Sequence, residues 1–430
     1  MNRTGRLFSK GLGLLLLVAL AAAATWLILQ SRPRAPQAAQ GSPLATPTPG
    51  QLQPSPSPTQ AAAAPRPTAT KSISVLNEYV FAAPQIVLTH TAPIGIAGWL
   101  PNNQEVLLTL RQPGSINETI ETFNIITKQR RLYSTRPSMG IPPIWLNTSN
   151  RVAYTALTGR QYDLWIRGHA EEHAIQPVLL NVNPAFTGYG DRVIAVQPDQ
   201  GRPVQLNGAG QLLGPIAVDL TTFGFIPGDP LTNYRMTLSP TAPKLALYDT
   251  KTLLIADVQT GDVQRLDLGE VHSERSGYGH RWAFAARWSP NGRYLALLTT
   301  VGTPVVPYTE LTIVNADSGL SSQVPLEVRY VHDVAWAPDS RVVVSLGEVS
   351  TTEGKAALGL YLIAVSLPDG AIRRMLPEQT FGLGTTAQGL SWSSDGSAIL
   401  LLCPQRVQTE PPQGENRLCS IEVSRSSQAH

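Results

Sequence analysis

Three features of the sequence predict an all-β fold, a β-propeller of about seven four-stranded blades. An aromatic or apolar column recurs at Trp99, Trp145, Phe186, Leu238, Trp288, Trp336 and Trp392, with spacings of 46, 41, 52, 50, 48 and 56 residues. Seven residues after each member stands a second apolar residue: Val106, Val152, Val193, Leu245, Leu295, Val343 and Ile399. The chain also holds 36 prolines and 35 glycines in 430 residues, which favours many turns and short strands over long helices. A constant inner offset within a loose outer period marks one supersecondary unit used repeatedly.

The clearest copy runs Ala286-Arg287-Trp288-Ser289-Pro290-Asn291-Gly292-Arg293-Tyr294-Leu295-Ala296-Leu297. It reads as a short strand, a tight turn and a second strand whose apolar residues alternate. Pro at the second turn position and Gly at the fourth fit a type I turn. Val334 and Leu390 open two similar copies, VAWAPDSRVVVSL and LSWSSDGSAILLL. A second hairpin follows in most copies, with turns at Thr260-Gly261-Asp262, Asp317-Ser318-Gly319 and Pro368-Asp369-Gly370. Four antiparallel strands in about 45–50 residues make one propeller blade. The last copy lacks a fourth strand, and the strand-like run Pro84-Gln85-Ile86-Val87-Leu88-Thr89 precedes the first. That run is expected to complete the last blade and so remove an exposed edge.

These repeats, WSPNGRYLALL, WAPDSRVVVSL and WSSDGSAILLL, resemble the blade repeat of TolB-like propellers. Related repeats occur in the propeller domains of prolyl oligopeptidases. The resemblance covers roughly 85–425 and is weakest around Phe186. The Gly-His and Trp-Asp signatures of WD40 repeats are missing. The amino-terminal α/β domain of TolB has no counterpart here, so a TolB role in envelope machinery is not inherited.

Ahead of the repeats, residues 1–10 read as a basic cytoplasmic tail and 11–30 as a transmembrane signal anchor. Residues 31–71 read as a disordered linker rich in Pro, Ala, Ser and Thr, and 72–430 as the propeller. Gly11 to Leu29 carries no charge and would span about 28 Å as a helix, near the hydrocarbon thickness of a bilayer. Arg3, Arg6 and Lys10 precede it, which keeps the N-terminus cytoplasmic and puts the propeller outside. The competing reading is a signal peptide cleaved after Ala19-Leu20-Ala21, leaving a secreted or periplasmic body. The apolar Trp26-Leu27-Ile28-Leu29 beyond that site favours the anchor. The linker has too few apolar residues to offset the entropy of ordering.

The formal charge of +3 is misleading. Residues 1–77 hold seven basic residues and no acid, while the remainder holds 26 basic and 30 acidic residues. Nucleic acid is therefore excluded as the expected partner, because the folded part is acidic. Cys403 and Cys419 are the only cysteines. They fall across one hairpin of the last blade, and outside the cytoplasm they read as a disulfide; two free buried thiols are the alternative.

No catalytic constellation emerges, and no cofactor or metal is expected. His169-Ala170-Glu171-Glu172-His173 matches an inverted zinc-peptidase pattern. That chemistry needs a helix, and the run sits between two strands, so a solvated turn is expected. Ser276-Gly277 approaches a nucleophile elbow, but Glu274 stands where glycine is required. No phosphate loop, EF-hand loop or dinucleotide fingerprint is present.

Strand direction alternates in a blade, so one face carries the tight turns and the other the links between strands two and three and between blades. The second set is long: Arg111–Glu118, Val301–Glu310, Gly347–Ala357, Pro404–Arg417 and Glu270–Ala283. Long connections on a rigid scaffold are where recognition tends to reside. The expectation is a protein- or ligand-binding scaffold outside the cytoplasm, with Tyr278, His280, Arg281 and Tyr308 as binding residues. The alternative is a propeller enzyme of lyase, lactonase or glycosidase type with its site at the central channel. If the anchor reading holds, the protein sediments with the membrane fraction; a soluble mature form beginning near Ala22 would show a cleaved signal instead.

Overall fold

Each copy of the repeat becomes one antiparallel sheet in the computed structural model. It describes residues 75–426 except 112–113, 138–140, 170–175, 198–200, 222–233, 250–251, 269, 274–276, 303–306, 351–355, 366–370, 383–388 and 408–413. The basic tail, the anchor and the linker lie outside the described residues, as does the turn Pro368-Asp369-Gly370. Among the described residues no helix is long and apolar enough to cross a membrane.

Seven sheets are formed by the described residues. Blade 1 comprises Ile94–Trp99, Glu105–Arg111, Asn117–Asn124 and Arg130–Pro137. Blade 2 comprises Ile144–Leu146, Arg151–Thr158, Gln161–Gly168 and Leu179–Val182. Blade 3 comprises Phe186–Tyr189, Arg192–Val196, Pro203–Asn207 and Leu212–Pro215. Blade 4 comprises Arg235–Leu238, Lys244–Tyr248, Thr252–Asp257 and Val263–Asp267. Blade 5 comprises Gly277–Trp288, Tyr294–Gly302, Tyr308–Asn315 and Ser321–Gln323, with Glu270–Ser273 added beside the first strand. Blade 6 comprises Val331–Trp336, Val342–Ser350, Ala356–Ala364 and Ile372–Met375. Blade 7 comprises Leu390–Trp392, Ala398–Val407 and Gly414–Arg425. The first strands of adjacent blades touch all the way round, so the ring is closed.

The repeated column is the level at which the first two strands pair. Trp99 faces Val106, Trp145 faces Val152, Leu238 faces Leu245, Trp288 faces Leu295, Trp336 faces Val343 and Trp392 faces Ile399. Blade 3 departs from this. Val193 faces Gly188, and Phe186 faces Ala195. Its turn at Gly190-Asp191 is two residues shorter than those of the other copies, so the fixed offset picks out the wrong partner there.

Three tryptophans of the column link blades, while the Trp392 indole donates to Gly396 of its own turn. The Trp288 indole N–H donates to the Thr237 carbonyl at 2.9 Å and that of Trp336 to the Arg287 carbonyl at 2.8 Å. That of Trp99 donates to the Ser391 carbonyl at 3.3 Å, joining blade 1 to blade 7. Each acceptor immediately precedes the column residue of the preceding blade. The turns behind the column share one design. Gly292, Gly396, Ser340 and Asn103 stand at the same turn position in the left-handed region, with φ of 69°, 80°, 62° and 52°. Glycine adopts that conformation without strain, and Asn and Ser tolerate it at some cost. The preceding Asn291, Asp395, Asp339 and Asn102 each accept a backbone N–H two residues on, which closes the turn.

The expected closing strand is present, in two pieces. Gln85–His90 pairs with Asn416–Ser420, and Tyr79–Phe81 pairs with Val423–Arg425. Blade 6 grips the second piece. The Tyr79 hydroxyl donates to Asp339 at 2.6 Å, and Arg341 forms a two-pronged bond to Glu78 at 2.7 and 2.8 Å. The Tyr79 and Phe81 rings lie edge-on against Trp392, 5.7 and 6.1 Å away. Between blades 1 and 2, Arg136 is fully buried with Glu118 at 2.9 Å and donates to the carbonyls of Thr155 and Ile141.

Replacing Trp336 with Ala should cost about 3–5 kcal/mol of stability, as a core truncation. Trp336→Phe should cost about 1–2 kcal/mol, since it strands the Arg287 carbonyl; thermal unfolding with no loss in Trp336→Phe would deny the inter-blade bond a role. Burial pushes the imidazoles of His332 and His90 down, the latter with help from Arg130. A depressed folded value means the unfolded chain binds more protons, so stability is lost as pH falls below the usual histidine range near 6.5. The melting temperature should therefore drop less between pH 7 and 5 in His90→Gln/His332→Gln than in the wild type. An equal drop would place the acid sensitivity elsewhere.

Candidate interaction site

Strand length differs sharply around the ring. The second and third strands of blades 3 and 4 are five or six residues long, while those of blades 6 and 7 run nine to twelve. The column aligns all strands at the tight-turn end, so the extra residues project from the opposite face. Four further residues reach about 13 Å. Blades 5, 6 and 7 therefore stand as a wall beside the low rim of blades 3 and 4.

This corrects the expectation of long loops. Glu270–Ala283 is mostly a hairpin, with Glu270–Ser273 paired to Gly277–His280. Strand pairing continues to Gly302 and resumes at Tyr308 in blade 5, and reaches Ser350 and resumes at Ala356 in blade 6. In blade 7 it reaches Val407 and resumes at Gly414. Backbone groups so far from the core need partners, and pairing the two legs of each connection supplies them.

The connections between blades lace the wall together. The Thr309 N–H donates to the Arg329 carbonyl at 3.0 Å, and its hydroxyl meets both backbone groups of Val331. The Glu348 N–H donates to the Tyr330 carbonyl at 2.8 Å. Further on, the Phe381 N–H donates to Leu358 of blade 6 at 2.9 Å, and the Gly382 N–H donates to Leu402 of blade 7 at 2.7 Å. Only glycine suits position 382, where a Cβ would lie 2.5 Å from the Cys403 carbonyl. A disulfide joins Cys403 to Cys419 at the base of the blade 7 ribbon, with Cα atoms 5.7 Å apart.

Of the four residues expected to bind, all lie in the blade 5 part of the wall, on strands rather than loops. Tyr278 is paired with His272, and His280 lies between Glu270 and Gly302. The structure brings Arg281 and Tyr308 together around Glu310, which the sequence reading missed. Arg281 donates to Glu310 at 2.8 Å and to the Leu268 carbonyl at 3.1 Å, so its guanidinium is committed. Burial, then the nearby Glu310 charge, pushes the Tyr308 phenol up. Trp282 was also passed over. It is 39% exposed, and its ring covers Gly302, where a Cβ would fall 2.1 Å from the ring. Its sequence signal was its place outside the repeated column, six residues before Trp288.

At the channel, Asp333 is the buried carboxylate that an enzyme would invite one to suspect. Its oxygens accept from the N–H groups of Val334, Gly389 and Leu390 at 2.9, 2.7 and 3.1 Å, and Arg287 lies at 3.4 Å. Burial pushes its carboxyl up. One oxygen pins the first strand of blade 7 to that of blade 6, and the other is held by Val334 of its own strand and by Arg287 of blade 5. Among the described residues no three metal-ligating side chains converge. His169 sits in the link between the third and fourth strands of blade 2, its ring 5.5 Å from Tyr133. Residues 170–175 of the zinc-peptidase-like run, His173 among them, lie outside the described residues.

No protein-family model matches the sequence, and no curated protein matches it. The chain is similar to the oligogalacturonate lyase of Vibrio parahaemolyticus at 10% identity and a TM-score of 0.49, over 80% of this chain and 96% of that one. It is similar to the periplasmic gluconolactonase of Pseudomonas aeruginosa at 14% identity and 0.42, over 68% and 86%. TolB from Acinetobacter baumannii matches at 13% identity and 0.35, over 75% and 79%. The closed ring of seven sheets makes the chain a seven-bladed β-propeller, with blade repeats similar to those of TolB-like propellers.

Proposed function

We propose that the protein is a membrane-anchored, extracytoplasmic binding scaffold whose recognition surface is the wall of blades 5, 6 and 7. The observation that carries the reading is the lacing of that wall. Connections that bond one projecting ribbon to the next hold the surface in one shape before a partner arrives, which lowers the ordering cost of binding. Connections cover the ribbon edges at Thr309, Glu348, Leu358 and Leu402, so partners are read there by side chains and not by strand addition. Among the described residues of the wall, Trp282 is a large exposed aromatic, a residue type that dominates interface energetics. A cross-strand disulfide is in keeping with an oxidising compartment. The partner is an unidentified protein or surface ligand. The alternative of a propeller enzyme acting at the channel has Asp333 as its candidate, and that carboxylate is already occupied.

Photo-crosslinking in the native envelope tests this. A photoreactive residue at Trp282, Thr300 or Val349 should give discrete adducts, and one at Asn291, Asp262 or Ser394 on the tight-turn face should not. The reverse pattern, with unchanged thermal stability, would place recognition on the other face.

A further inference from the structure

Among the described residues, the buried side-chain nitrogens that meet no acceptor are Trp145 Nε1, Trp165 Nε1 and Arg167 Nε. All three belong to blade 2 and to one face of it. Trp145 and Arg167 flank Val152 on either side in register, and Trp165 lies opposite Tyr154. Val152 and Tyr154 are packed against Leu107 and Ile120 of blade 1, with Tyr133, Trp145 and Trp165 around them. The donors therefore share the packed interface between blades 1 and 2, which reaches the tight-turn end at Trp145 and Arg167.

Comparison around the ring shows how unusual this is. The equivalent indoles of Trp99, Trp288 and Trp336 each reach a carbonyl of the preceding blade, and that of Trp392 reaches Gly396 of its own turn. For Trp145 the corresponding acceptor would be the Gly98 carbonyl, and a register shift between Ile96 and Gly98 interrupts the strand just there. The Arg167 guanidinium lies over the Trp165 ring at 6.0 Å, adding a positive charge beside the two indoles. The Tyr133 ring of blade 1 stands edge-on to Trp145 at 5.8 Å.

Buried donors left unmade are costly and rare. A single water accepts two hydrogen bonds and would leave one donor unmet. A group with several acceptor oxygens and a negative charge matches such donors and the arginine better than water does. We propose that the interface between blades 1 and 2 binds an oxyanion group, a phosphate or a carboxylate, held by Trp145, Trp165 and Arg167. The site lies on the opposite face from the wall, so it stands or falls independently of the scaffold reading.

The test uses the full chain titrated with sodium phosphate or sodium acetate against sodium chloride at constant ionic strength, read by melting temperature and tryptophan fluorescence. The wild type should show saturable stabilisation that chloride does not give. Trp145→Phe and Trp165→Phe keep a ring and remove the N–H, and each should weaken binding about 3–10-fold. Arg167→Gln should weaken it at least about 10-fold. A stronger response to phosphate identifies a phosphate site, and a stronger response to acetate a carboxylate site. Identical responses to all three salts would overturn the proposal, as would Phe variants that respond as the wild type does. Should Arg167→Gln fail to fold, the two near-isosteric Phe variants decide the matter.

Discussion

Backbone pairing between the N-terminal strands and Gly414–Arg425 is the constraint on which the rest depends. Blade 7 has three strands of its own, and its outer edge is covered only by Tyr79–Phe81 and Gln85–His90. Without that pairing the last blade would present a long open edge, and blade 1 would lose its fixed place beside blade 7. The Trp99 bond to Ser391 and the Ser394 bonds to Asn103 then tie the first blade to the last from the inside. Asp339, Arg341 and Arg373 of blade 6 hold the closing piece from its neighbour. Closure is thus spread over blades 1, 6 and 7.

A closed ring lets the two faces diverge. At the tight-turn end, the column and its turns are repeated with little variation, because each turn bonds its own strands and often the neighbouring turn as well. At the other end the strands are free to lengthen, and blades 5 to 7 have done so. The wall keeps its shape through the same kind of bond that closes the ring, backbone to backbone across blades. This explains why the polar groups one would suspect of chemistry are committed. Asp333 caps a strand start, Glu310 holds Arg281, and the buried Arg136–Glu118 pair joins blade 1 to blade 2.

The interface between blades 1 and 2 breaks the pattern from within the repeated end. There the indole that should join two blades has no carbonyl to reach, and two further donors accumulate beside it. Loss of an inter-blade bond in a repeat protein is a local conflict between sequence and fold, and such conflicts concentrate where a ligand is held.

The column, its seven-residue offset and the turn chemistry were legible in the sequence because they are local: a strand, a turn and a strand within a dozen residues. So was the closing strand, through the missing fourth strand of blade 7. Two things were not. Blade 3 kept the offset while its turn lost two residues, so Phe186 took a place in the column that belongs to Gly188; only the pairing register distinguishes them. The wall was read as loops because Glu270–Ala283 and Pro404–Arg417 carry turn-forming and charged residues, as loops do. Their strand character comes from the partner leg, with Glu270–Ser273 on Gly277–His280 and Arg406–Val407 on Gly414–Glu415. Sequence alone determined the repeat, because repetition is written residue by residue. Only the tertiary structure decided which groups are spent and which are free, because that depends on what the neighbouring blade offers each of them.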